Sequence, residues 1–410
     1  MPRYNRILLV TTNYWPEPTG IALYTTDLAK YLTIQGDQVT VLTSLPHYPW
    51  WRVPSEFAYL GKGSGIHNGV SVIRAKHLVP PKMNALLRMR FETSLWWNLR
   101  RVSKDIVCND FDLVISCIPT VAAGIVGKRI AKELGIPFGL IVQDLSGAGA
   151  KQSGLRGGAV ISKIAHFVEG RALHGADGLV VVSPAMREVV VSLGVLESRI
   201  TQITNYSARA ISNLDKNSAR SRFGWAPDDF VVIHTGNMGA KQDLENVVRA
   251  ADALSAGSRI KIYLIGHGNQ EGNLKSLCLG KINIAVLPAV SDADYSALLS
   301  AADLLLVNER STQMEMSLPS KLTSYLYSER PVIAAVPRGG ATWKFLDGVA
   351  ELVEAGDPVA LARAIEELSK QPEKLADLAG RGRVFADANL DPEVGRKKYL
   401  DWVQKLIQPK

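Results

Sequence analysis

The stretch "VVIHTGNMGAKQDLENVVRAADAL", residues 231–254, reads as an apolar run, a glycine turn and then a helix. The opening stretch "RILLVTTNYWPEPTGIALYTTDLAKYL", residues 6–32, has the same order of parts. A strand–loop–helix unit that starts twice, on a chain of 410 residues, implies two cores rather than one.

Outward from these two stretches the same alternation continues. The first half is predicted to place strands at Arg6–Thr11, Gln38–Leu42, Val70–Arg74, Leu113–Ser116, Phe138–Val142 and Gly178–Val182. Helical patterns at Ile21–Gln35, Ala122–Leu134 and Ser162–His174 lie between them. The second half restarts with strands at Phe230–His234, Ile260–Ile265, Ile284–Leu287, Leu304–Val307, Val332–Ala335 and Ala350–Val353. Continuous apolar strands joined by helices point to parallel sheets covered on both faces, an α/β class. The weakly patterned "NYSARAISNLD", residues 205–215, marks the joint. The expected domains are 1–205 and 206–390, with a terminal helix in 391–410 packing back on the first. Two doubly wound sheets facing one another across a cleft would bind ligands outside the carboxyl ends of their strands.

Composition is that of a folded soluble protein, 47% hydrophobic and 21% charged, without repeats or low-complexity tracts. No apolar run approaches the roughly 18 residues that span a bilayer, and "RILLV" is too short for a signal peptide. Cys108, Cys117 and Cys278 have no metal-ligand spacing and read as reduced thiols in a cytosol. The net charge of +8 is one-sided: residues 1–205 hold 22 Lys+Arg and 14 Asp+Glu, residues 206–410 hold 25 of each. All of the basic excess therefore sits in the first half.

Three turns could hold an anion. In "NYWPEPTGIALYTTDL" Thr19 is read as an N-cap, and Gly20 would let backbone N–H groups approach a negative group; an ordinary turn fits as well. "HTGNMGAKQDLENVV" leaves bare backbone at Gly236 and Gly239, beside Asn237, Lys241 and Gln242. A diphosphate needs N–H donors and a point positive charge, and this turn has both. Lys241, read in a first helical turn, opposes the helix dipole unless an anion is bound. Gly266 and Gly268 of "IGHGNQ" and the segment "LPAVSDADY" follow the next two strands and fit plain turns or a nucleoside wall. In "MEMSLPSKLTSYLYSERPVIA", Glu315 could hold sugar hydroxyls, while Pro319, Ser320 and Lys321 open a helix that would face phosphate. Asp144 ends a buried strand in "LIVQDLSGAGAKQSGLRGG", where an acid could steer a hydroxyl or cap a loop amide. The glycine-rich run after it reads as a loop that orders on binding. No GxGxxG, HExxH, CxxC or GxSxG is present, and His166, His174 and His267 form no metal set.

Residues 76–104 concentrate Lys76, Lys82, Arg88, Arg90, Arg100, Arg101 and Lys104 against Glu92, interleaved with Leu86, Leu87, Phe91, Leu95, Trp96, Trp97 and Leu99. Such a helix suits an anionic bilayer surface, or it buries its tryptophans and solvates its charges. No nucleic-acid-binding module accompanies it.

Taken together, "NYWPEPTGIALYT", "LPHYPWW", "VQDLSGAGAKQSGL", "ALHGADGLVVVS", "TGNMGAKQDLENVVRAADAL" and "LPSKLT" resemble the family-4 glycosyltransferases, nearly end to end. The resemblance is strongest to the bacterial exopolysaccharide branch of the colanic-acid-cluster fucosyltransferase type. It implies a GT-B architecture of two Rossmann-like domains, a metal-independent retaining reaction, and no cofactor beyond a nucleoside-diphosphate sugar, GDP or UDP. The first domain would receive a glycan or polyprenyl-diphosphate-linked acceptor at the inner face of the membrane, and the second would hold the donor. On this resemblance Gly20 faces the transferred sugar or diphosphate, Lys241 binds phosphate, Glu315 grips the donor sugar and Asp144 stands beside the reacting carbon. Asn237 replaces the family's arginine and Ser324 its ribose-binding glutamate. A nucleotide-sugar 2-epimerase and a non-catalytic assembly subunit are the alternatives on the same architecture.

Overall fold

The structure is a computed structural model that describes residues 4–408 apart from 19, 63, 81–84, 107–109, 146–168, 207–213 and 313–317. The chain divides into two compact units, Met1–Thr204 with Gly395–Lys410, and Asn205–Val394.

The first unit carries eight strands: β1 (Arg6–Val10), β2 (Gln38–Ser44), β3 (Ser64–His67), β4 (Val70–Ala75), β5 (Leu113–Ile118), β6 (Phe138–Val142), β7 (Gly178–Val181) and β8 (Ile200–Gln202). Their order is β3-β4-β2-β1-β5-β6-β7-β8, parallel except for the β3–β4 hairpin. Helices cover both faces, so β5 and β6 are buried at every residue, which is why they read as unbroken apolar runs. Two strands escape that signal: β3 is short and exposed, and β8 has three residues. The predicted helix Ser162–His174 lies partly outside the described residues, and 169–174 are helical.

The terminal helix Pro392–Ile407 belongs to the first unit over most of its length. Trp402, 3% exposed, lies on strands β6 and β7 where Gly139 and Gly178 leave room. A Cβ on Gly139 would stand 2.7 Å from the indole. Arg396 forks onto Asp27 of the helix Ile21–Ile34, Nε to Oδ2 at 3.0 Å and Nη2 to Oδ1 at 2.5 Å.

The second unit has six parallel strands, β9 (Phe230–Asn237), β10 (Ile260–His267), β11 (Ile284–Leu287), β12 (Leu304–Asn308), β13 (Val332–Val336) and β14 (Glu351–Glu354), in the order β11-β10-β9-β12-β13-β14. One sheet face is covered through Leu244, Val247, Val248, Leu361 and Ile365, the other through Leu298, Leu322, Tyr325 and Leu346. In each sheet the winding reverses at the strand that opens the unit, β1 and β9. Crevices for ligands form at the carboxyl ends of such strands.

Candidate functional site

At the carboxyl edge of the second sheet, β9 and β10 end together, with Gly236 opposite Gly266 and Asn237 opposite His267. Gly236 (φ 104°) and Gly266 (φ 150°) adopt backbone that side chains rarely reach. A Cβ on Gly266 would fall 1.9 Å from the Gly236 carbonyl oxygen, and one on Gly268 would fall 2.3 Å from that of Met238. Both glycines thus let two turns press backbone on backbone, and the space they free is filled by that contact. Met238 is fully buried and pins the turn; its N–H donates to the His267 carbonyl at 2.8 Å.

The turn after β9 is closed from within. Gln242 Oε1 accepts the Gly239 N–H at 3.1 Å and the Asn237 amide at 3.3 Å. Buried Asn308, at the end of β12, donates to the carbonyls of Gln242 and Asp243 at 2.8 and 3.0 Å. Asp243 is left-handed (φ 43°), and the helix starts only at Leu244. Exposed Lys241 therefore stands in the turn before the helix, a correction to its placement in a first helical turn. The reason is local: Asp243 breaks the helical run.

Lys321 opens the helix Lys321–Tyr327, with Ser320 as N-cap and Pro319 just before it. Its Nζ lies 3.0 Å from His234 Nε2, and His234 Nδ1 lies 3.1 Å from the Leu306 carbonyl. The carbonyl requires the proton on Nδ1, so Nε2 accepts from the lysine. Burial and the Lys321 charge hold His234 well below its ordinary pKa. Burial lowers Lys321 to about 7, against the opposing pull of the Glu309 carboxylate. Glu309 accepts from Thr342 Oγ1 at 2.7 Å, and among the described residues no carboxylate lies within ion-pair distance of Lys321. A Cβ on Gly236 would stand 3.9 Å from the Lys321 Nζ. Lys321 Nζ thus stands beside Gly236 with no side chain between and, among the described residues, no carboxylate in ion-pair distance, a seat for an anion.

Beside it Tyr295 Oη meets Ser324 Oγ at 3.1 Å and Thr235 Oγ1 at 3.2 Å, and Tyr325 Oη accepts the Thr235 N–H at 2.8 Å. His234, Tyr295 and Asn308 had no motif of their own in the sequence, although Tyr295 closes the quoted "LPAVSDADY".

At the carboxyl edge of the first sheet, Gly20 (φ 66°) is itself the N-cap of the helix Ile21–Ile34, without a side-chain cap. The cap expected of Thr19 is corrected accordingly, and Thr19 lies outside the described residues. The Tyr48 ring lies 3.4 Å from where a Gly20 Cβ would be. Asp144 is exposed after β6, with Oδ1 accepting the Leu145 N–H at 2.8 Å. The glycine-rich run after it and Glu315 lie outside the described residues. The structure therefore brings Gly236, Asn237, Gly239, Gln242, Gly266, Gly268 and Lys321 to one sheet edge, while Gly20 and Asp144 belong to the other unit. Among the described residues no group of three His, Cys, Asp or Glu could hold a metal ion.

Residues 19–206 match the family described as glycosyl transferase 4-like domain, and residues 215–385 match glycosyl transferases group 1. The chain is a family-4 glycosyltransferase. It is 28% identical, over 97% of its length and 99% of the relative's, to WcaI of Escherichia coli (strain K12), a protein named for glycosyl transfer in colanic acid biosynthesis. HepE of Anabaena, solved with UDP, shares the fold over 98% of this chain and all of its own (TM-score 0.72, 15% identity). Sucrose-phosphate synthase of Thermosynechococcus elongatus does so over 98% and 99% (TM-score 0.75, 18% identity). Both are GT-B folds, and this glycosyltransferase has the two parallel-sheet α/β units of that class. In it Asn237 and Ser324 are both engaged, with Gln242 and with Tyr295.

Proposed function

We propose that this glycosyltransferase moves a sugar from a nucleoside-diphosphate sugar, GDP or UDP, onto a lipid-linked glycan in cell-surface polysaccharide synthesis, with retention at the anomeric carbon. The observation that carries the reading is Lys321, whose Nζ stands beside Gly236 with no carboxylate in ion-pair distance among the described residues. The colanic-acid name of WcaI and the UDP held by HepE support it.

The second unit would hold the donor. Lys321 and Lys241 would stabilise the diphosphate as the anomeric bond stretches. Lys321 supplies the cation beside the turn where Asn237 replaces arginine. Glu315 would grip the sugar hydroxyls. The departing phosphate oxygen would take the acceptor's proton on the face it leaves, so configuration is retained without a covalent intermediate. Asp144 would orient the acceptor hydroxyl, Gly20 would let the transferred group approach the first unit, and no metal is needed. The reading ranks above epimerisation because a soluble nucleotide sugar has no use for a basic, tryptophan-bearing surface helix.

That helix, Ala85–Ile106, buries Phe91, Leu95, Leu99 and Ile106 and leaves Leu86, Met89, Arg90, Trp97, Arg101 and Lys104 on its exposed face. Trp96 is half-buried under the Arg100 guanidinium, 5.4 Å away, whereas Trp97 is 61% exposed. Exposed apolar groups flanked by cations suit the anionic inner surface of the membrane, where the lipid-linked acceptor lies. No described helix is long and apolar enough to cross a membrane.

A thermal-shift screen against GDP, UDP, ADP and dTDP, followed by turnover with the sugar of the stabilising nucleotide, tests the reading. Lys241→Ala and Glu315→Ala are expected to lower turnover about a hundredfold each. Normal turnover in both variants, or no stabilisation by any nucleotide, defeats it. Formation of an epimer without transfer would favour the 2-epimerase.

A further inference from the structure

Arg74, on β4, is 9% exposed. Its guanidinium donates from Nη1 to the Ser44 carbonyl at 3.0 Å and from Nη2 to the Trp15 carbonyl. Neither acceptor carries a charge. The carboxylate that acts on it from a distance is Glu17, and that group is already committed. Glu17 Oε1 accepts the N–H groups of His47 and Tyr48 at 2.7 and 2.9 Å, and Oε2 accepts the Asn13 amide at 2.7 Å. No carboxylate among the described residues pairs with Arg74 within 4.0 Å. A buried guanidinium without a counter-ion is costly, and burial draws Arg74 down to about 10, which still leaves it charged at neutral pH.

Arg74 also lines a cavity of about 370 Å³ in the first unit. The cavity wall is mostly apolar and aromatic: the Trp15 indole stacks on the His67 ring at 3.9 Å and 13°, beside Tyr59, Leu60 and Val72. Arg74 depresses the His67 pKa and is itself sensitive to Tyr59, so its charge lies close to that wall. Flat aromatic faces with one guanidinium fork suit a sugar ring that carries an oxyanion.

We propose that this cavity binds an acidic sugar unit of the acceptor, with its oxyanion held by Arg74 and its ring against the aromatic wall of the Trp15–His67 stack and Tyr59. The inference rests on the reading of the first unit as the acceptor half. It adds the chemical class of the acceptor: the oxyanion is a carboxylate, as in a hexuronic acid, or a phosphate ester on the sugar.

The test titrates the full chain with glucuronate, glucose 1-phosphate and glucose, using saturation-transfer NMR. At least one anion is expected to bind about tenfold or more tighter than glucose, and the tighter of the two identifies the oxyanion. Arg74→Gln should abolish that preference. Because Arg74 is buried, Gly65→Glu supplies an independent arm: Gly65 is exposed at the cavity, and an added Cβ meets no heavy atom within 4 Å. Its carboxylate should weaken the bound anion about tenfold by repulsion. Nucleoside-diphosphate binding, read in the same samples, should stay unchanged in both variants. Equal binding of glucose and both anions overturns the proposal, as does Gly65→Glu titrating like the wild type. So does anion binding that disappears in Lys321→Met, since it then belongs to the second unit. If the wild type binds no nucleoside diphosphate while the anion arms behave as expected, the donor reading fails and this one stands.

Discussion

At the carboxyl edge of the first sheet the loop after β1 is gathered around a buried carboxylate; at the same edge of the second sheet the loop after β9 is held by the neutral amides of Gln242 and Asn308 and by backbone pressed on backbone. In the first unit Glu17 gathers the Asn13 amide and the His47 and Tyr48 N–H groups, and Thr25 Oγ1 donates to the Asn13 carbonyl at 2.8 Å. In the second, the Met238 N–H bonds the His267 carbonyl, the Gln270 N–H bonds the Met238 carbonyl, and glycines let the two turns touch. The charges differ in the same way. The first half of the chain holds the entire net +8, with Arg90, Arg101 and Lys104 on the exposed face of one helix, whereas the second half is neutral and keeps Lys321 beside Gly236. Net charge therefore says little about where an anion is held. A cation removed from water and left without a counter-ion attracts an anion far more strongly than several solvated ones.

The largest expected effect breaks this contrast at its glycines. Gly20 and Gly266 both hold positive φ, but a Cβ on Gly20 meets Tyr48 at an ordinary 3.4 Å, while one on Gly266 overlaps the Gly236 carbonyl. Gly20→Ala should cost about 1–3 kcal/mol, the strain of a backbone at φ 66° and ψ −142° that side chains rarely adopt, with no overlap added. Gly266→Ala should cost about 3–5 kcal/mol, because overpacking adds to backbone found essentially only in glycine. Urea unfolding with peptide-resolved amide exchange assigns each loss to its unit. Equal costs would mean that the two edges are built alike after all.

Next in size is Lys321→Met, expected to lower kcat/KM about a hundredfold, with a pH signature that tells a charge effect from a packing effect. Lys321 titrates near 7 in the free protein, and a bound diphosphate would raise that value, so binding takes up a proton. Affinity should be insensitive to this group below about pH 7 and fall as pH rises above it, approaching tenfold per unit. Lys321→Met should flatten that slope. Arg74, at about 10, should impose no slope on acceptor binding between pH 7 and 8, which sharpens the contrast between the edges. A wild-type affinity independent of pH from 7 to 9 would show that Lys321 does not touch the anion.

These pairs also mark how far the sequence could be read. Every strand predicted from apolar runs is present, and the central ones, β5, β6, β12 and β13, are buried at every residue and leave the clearest run. The exposed hairpin strand β3 and the three-residue β8 leave none. The Gly236 turn was legible from its glycines and lysine. The partner of Lys321 was not: His234 lies 87 residues earlier, inside an apolar strand, and only the sheet order brings the two together. Asn308 and Tyr295 were hidden for the same reason, since Gln242 and Ser324 lie 66 and 29 residues away from them. Arg74 read as the ordinary end of a strand, because nothing local reveals that its neighbours offer carbonyls rather than carboxylates.

The smallest expected effect separates the two tryptophans of the basic helix, where exposure differs but sequence position hardly does. Trp97 is exposed among Arg90, Met89 and Arg101, while Trp96 is half-buried against Arg100. If the exposed face is the membrane-docking surface proposed above, Trp97→Ala should weaken sedimentation with anionic phosphatidylglycerol vesicles about fivefold and leave the unfolding midpoint in place, since its ring packs little of the core. Trp96→Ala should do the reverse, lowering stability while vesicle affinity holds, because its indole meets protein rather than lipid. Raised salt should weaken the wild type and Trp97→Ala in parallel, since the cations beside the ring remain in both. Equal vesicle affinity in Trp97→Ala and wild type would leave the basic face a solvated helix surface, and would remove the argument it lends to transfer over epimerisation.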